Sequence, residues 1–146
     1  MTRWMSAALV AAAVLAAPPA EAAKPKPKPI SGSYDVTIPV PFVVEGEDGS
    51  HCKDAPEGLS KHTSKITLPY AGKLTLGVTR IVGDWVIELY DANGTRVAYA
   101  AVFDPTGTER TLTYKKKSKA KMTYTVMVCN VSGGPNGTVK WTFVPS

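Results

Sequence analysis

Between Gly83 and Ala98 the chain alternates with a period of two and then turns back on itself. On an extended backbone Trp85, Ile87 and Leu89 share one face, and Val86, Glu88 and Tyr90 share the other. Asn93-Gly94 accommodates positive φ at both residues, which predicts a two-residue hairpin turn and a return strand from Thr95 to about Val102. The same period recurs along the chain. It predicts strands at Tyr34–Ile38, Ser64–Leu68, Lys73–Thr79, Glu109–Tyr114 and Met122–Asn130, and a last one carrying Val139, Trp141 and Phe143. Turns are expected at Pro69–Gly72, Asp104–Gly107 and Gly133–Gly137. No amphipathic helix pattern and no internal repeat occur in residues 33–146. The expected fold is all-β: an antiparallel, jelly-roll-like sandwich of about eight strands, with Trp85, Trp141, Ile87, Leu76 and Val126 in the core.

The first 22 residues read differently. Arg3 precedes an apolar run from Ala7 to Ala17, then Pro18-Pro19 and the small-residue exit Ala20-Glu21-Ala22. Such a run is shorter than the ~20 residues that a membrane-spanning helix needs. The segment therefore reads as a signal peptide cleaved after Ala22, and export follows as the expectation. Residues 23–32 alternate Lys and Pro, which favours an extended, solvated linker. The domain proper is expected at 33–146.

Export gives meaning to Cys52 and Cys129. An even cysteine count in an oxidising compartment reads as a disulfide; the competing reading is two free thiols or metal ligands. The net charge of +5 is uneven. Three lysines sit in the linker, and Lys115, Lys116, Lys117, Lys119 and Lys121 form one run. Outside these two segments the mature chain carries 8 basic and 11 acidic side chains. That distribution does not fit nucleic acid, whose partners spread Arg and Lys over a face. The lysine run fits either a contact for anionic glycans, wall polymers or lipid headgroups, or a solvated loop whose charges block edge pairing.

Gly72-Lys73-Leu74-Thr75-Leu76, the Gly83-Asp84-Trp85 strand ending in Leu89-Tyr90-Asp91, the Asn93-Gly94 turn, Tyr124-Thr125-Val126-Met127-Val128 and Thr138-Val139-Lys140-Trp141-Thr142-Phe143 together resemble the bacterial pre-peptidase C-terminal (PPC) domain. The chain is similar to small exported actinobacterial proteins of that type, which place a Cys ahead of the "GDW" strand and a Cys-Asn pair, here Cys129-Asn130, near the end. The resemblance implies a jelly-roll-like sandwich that aids secretion, is removed in maturation, or binds a surface or polymer. It departs where Val86 replaces a common acidic residue, and a stand-alone domain with no peptidase in cis is the expectation. If the source is bacterial, the sequons at Asn93, Asn130 and Asn136 stay unmodified.

Catalytic chemistry finds little material. Only His51 and His62 could serve as a base, and no nucleophile elbow is present; a non-enzyme is expected. Glu45, Glu47, Asp48, Asp54 and Glu57 form a candidate calcium loop, with a solvated acidic loop as the alternative; no other cofactor is indicated. Tyr70, Tyr90 and Tyr99 are candidates for a sugar-stacking platform. The expected function is a secreted, non-catalytic binding or structural module for an extracellular polysaccharide, cell wall or protein. The alternative is a partner or inhibitor of an exported peptidase acting in trans. A monomer is expected.

Overall fold

Each alternating segment becomes a strand: β1 (Ile30–Thr37), β2 (Lys61–Leu68), β3 (Gly72–Thr79), β4 (Gly83–Tyr90), β5 (Arg96–Ala100), β6 (Glu109–Lys116), β7 (Met122–Gly133) and β8 (Asn136–Pro145). The computed structural model describes residues 25–42, 52–101 and 108–146. The signal peptide, Glu45, Glu47, Asp48, His51 and the Asp104–Gly107 turn lie outside the described residues. Among the described residues, no helix is long and apolar enough to cross a membrane.

Two antiparallel sheets form, in the orders β1-β8-β3-β6 and β2-β7-β4-β5. Strand 1 lies beside 8, 2 beside 7, 3 beside 6 and 4 beside 5, which is the winding of a jelly roll. The inward faces interdigitate, with Leu74, Leu76, Val78 and Phe143 from the first sheet against Trp85, Ile87, Leu89 and Val126 from the second, all fully buried. Trp141 departs from expectation. It is only partly buried, lying over Gly32 of edge strand β1, where a Cβ would come within 2.6 Å of the indole nitrogen.

β4 is buried along its whole length, on both faces. Its outer side is packed by Phe42 and by Cys52 and Ala55, which lie between β1 and β2 in the chain. Cys52 and Ala55 pack with Val86, Cys129 and Val131 into a second apolar cluster. The Cys52–Cys129 disulfide fastens this cover to β7.

Two turns differ from a simple reading. Asn93 does not adopt positive φ; Gly94 alone does, at 76°. Asp91 N–H donates to Thr95 O, so the loop holds three residues and the register slips between Leu89 and Tyr90. The Asp91 carboxylate accepts from the backbone N–H groups of Asn93 and Thr95, which favours the longer turn. At the start of β4, Gly83 faces Gly133, both with positive φ. A Cβ on Gly83 would run into Ser132 O, so this bulge admits only glycine.

Burial raises the phenol pKa of Tyr34, Tyr90 and Tyr124; a hydrogen bond to Glu88 adds to the rise at Tyr90, and the Tyr114 hydroxyl adds at Tyr124. Each phenol holds its proton more tightly folded than unfolded, where the value is 10.0. Their contribution to stability is constant below that pH and is lost as pH rises above it. Lys116 acts with the opposite sign, because desolvation lowers its pKa; it is one group against three. Denaturation midpoints should therefore fall as pH rises above about 10. A flat profile, with these phenols ionising in the folded protein, would contradict the burial argument.

Candidate functional site

The lysine run does not form one loop. Its first two members belong to β6, so alternation sends Lys115 outward and Lys116 inward. Lys116 is 1% exposed, and its ammonium donates to the carbonyls of Tyr70 (2.8 Å), Ser118 (2.5 Å) and Ala120 (2.6 Å). It is removed from the candidate contact surface: it organises the β2–β3 turn and the β6–β7 loop from within. Arg110, at the other end of β6, also points inward and pairs with Asp84 at 3.2 Å. Inward charges at both ends of an edge strand oppose edge-to-edge pairing.

Lys115, Lys117, Lys119 and Lys121 remain exposed. Lys115 stands directly opposite exposed Lys73 on β3. Like charges in that position cost stability, and neither side chain makes an ion pair with any described residue.

On the outer face of the second sheet, at the same end of the sandwich, lies a groove of about 360 Å³. Its walls include Lys53, Lys65, Asp91, Thr123 and Thr125, and Met127 and the buried Tyr90 contribute apolar surface. Register places Lys65 opposite Thr125, and Tyr90 opposite Thr125 from the other side. Lys121, exposed, lies two residues before Thr123. The arrangement offers two cations and hydroxyls around an apolar floor, with one carboxylate, Asp91, already held by the N–H groups of its own turn, so positive charge is in excess and the groove suits an anionic chain with sugar-like faces. Sequence reasoning missed Lys53 and Lys65. Their signal was the polar side of the β2 alternation, Thr63-Lys65-Thr67, which the strand pairing turns outward.

Beneath one end of the groove lies Glu88, which is completely buried. Its carboxylate accepts from Cys52 N–H (3.0 Å), the Tyr90 hydroxyl (2.8 Å) and Arg96 Nη1 (2.9 Å). The site is fully occupied by protein donors and fixes the cover, the groove floor and β5 together. Arg96 in turn lies 4.5 Å over the Tyr99 ring.

The remaining candidates separate. Tyr90 is buried, so it leaves the stacking platform; Tyr70 and Tyr99 are about half exposed. Asp54 belongs to a 3-10 turn over Cys52–Asp54, and the Glu57 carboxylate is taken by the N–H and hydroxyl of Thr63. Among the described residues no group of three or more metal-ligating side chains is gathered. His62 packs against the Tyr34 ring at 5.5 Å. Asn130 is fully buried and its Nδ2 donates to Ile38 O and Gly134 O, so a glycan there is incompatible with the fold. No family model matches the chain, and no curated protein matches it.

Proposed function

We propose that the protein is an exported, non-catalytic module that binds an anionic extracellular polymer along the groove of the second sheet. The observation that carries this reading is the pair Lys53 and Lys65 lining a groove with hydroxyl walls and a Tyr90–Met127 floor. Lys117, Lys119 and Lys121 extend the positive field past the groove mouth, and Lys73 with Lys115 continues it round to the other sheet. A disulfide supports an oxidising compartment. The jelly-roll order is the fold that the likeness to the PPC domain implies.

Retention of the purified protein on peptidoglycan bearing anionic wall polymer, chitin, cellulose and collagen, with and without calcium, tests the reading. Retention on the anionic wall material that weakens as salt rises is expected. Replacing Lys115 and Lys117 by Ala should weaken it further, whereas K116A should lower stability and leave the exposed charge intact. Equal retention on neutral cellulose, or none on any matrix, would move the weight to a protein partner such as an exported peptidase.

A further inference from the structure

Arg80 is the one non-glycine among the described residues with a left-handed backbone, at φ 61°. It lies between β3 and β4, at the end of the sandwich opposite the exposed lysines. Glycine would occupy this conformation without steric cost, so an arginine held there is strained, and such strain concentrates at ligand clamps. Arg80 lines a cavity of about 230 Å³ with Asp35, Thr37, Asn136 and Thr138. Two hydrogen bonds order these groups. Thr138 Oγ1 donates to Asp35 Oδ1 (2.7 Å), and Thr37 Oγ1 donates to Asn136 Oδ1 (3.1 Å). The second carboxylate oxygen is left as an acceptor, and the Asn136 amide nitrogen and the Arg80 guanidinium are left as donors.

We infer that this cavity binds a terminal, uncharged sugar residue through two adjacent hydroxyls. A hydroxyl both donates and accepts, so a neighbouring pair satisfies a carboxylate and an amide or guanidinium at once. Charge selects the same class. Asp35 disfavours an anion, Arg80 disfavours a cation, and a neutral polar ring meets neither penalty. The volume lies below the ~300 Å³ of the smallest drug-sized pockets, which limits the ligand to about one ring. This site is separate from the anionic-polymer groove and stands or falls without it.

Amide NMR titrations with methyl α-mannopyranoside, methyl β-galactopyranoside and methyl β-glucopyranoside, and with acetate as an anion control, test the inference. At least one glycoside should give saturable, millimolar shifts at the Arg80 amide and the Asn136 side-chain amide. D35N and R80G should abolish them. R80G should also denature no earlier than the wild type, because glycine relieves the left-handed backbone, so its loss of binding cannot be put down to unfolding. Absence of saturable shifts with all three glycosides would overturn the inference. So would wild-type binding by R80G or D35N, or occupation of the site by acetate in place of sugar.

Discussion

E88A is expected to lower the unfolding free energy by about 3–5 kcal/mol, the range for breaking a buried charge pair by removing one partner. Glu88 sits in the middle of β4 with no exposed surface, and three donors converge on it. Deleting the carboxylate takes the buried ion-pair partner from the Arg96 guanidinium, which is only about one-fifth exposed, and orphans the Cys52 amide and the Tyr90 hydroxyl. E88Q keeps the shape and one carbonyl acceptor, so its loss should be smaller. R96A combined with E88A should cost less than the two single changes added together, because both remove the same buried ion pair. Urea denaturation of the four proteins measures all of this. A loss below about 1 kcal/mol for E88A, typical of an exposed pair, would show that the carboxylate is not the anchor described above.

The second large effect is the disulfide. Replacing Cys52 and Cys129 together by Ala should cost about 4 kcal/mol in the chain-entropy description, because the bond closes a loop with a sequence separation of 77. Both sulfurs are buried against Val86 and Val131, so some packing is lost as well. The bond and Glu88 grip the same 3-10 turn: one through the Cys52 side chain, the other through its amide. Their contributions should therefore not add. With the disulfide gone, the cover is free to lift and E88A should cost less than it does in the oxidised protein. Denaturation with and without reductant checks this; additive losses would mean that the two anchors act on separate parts of the fold.

How much of this was legible in the sequence depends on how local the cause is. The β4 alternation and the glycines flanking it made the strand plain, because the period-two pattern needs no partner to be read. The start of β1 was missed by four residues. Gly32 supplies no side chain to the pattern, and only the Trp141 ring lying over it explains its place. The hairpin was placed correctly but one residue too short, since the Asp91 carboxylate, not Asn93, shapes the turn. Lys116 was read as a surface charge because β6 was ended two residues early; once the strand includes it, alternation turns it inward. The groove was hidden because Lys53, Lys65, Tyr90 and Thr125 come from a 3-10 turn and three strands that meet only through non-local pairing.

The central claim is that the second sheet's groove holds an anionic polymer through its lysines. Its most direct test is a calorimetric titration of polygalacturonate into the wild type and into K53Q/K65Q, with neutral dextran as the control. The account predicts salt-sensitive binding of polygalacturonate, no binding of dextran, and a loss of about tenfold or more in the variant, or about 1.4 kcal/mol. Equal affinity of the variant and the wild type for polygalacturonate would contradict it.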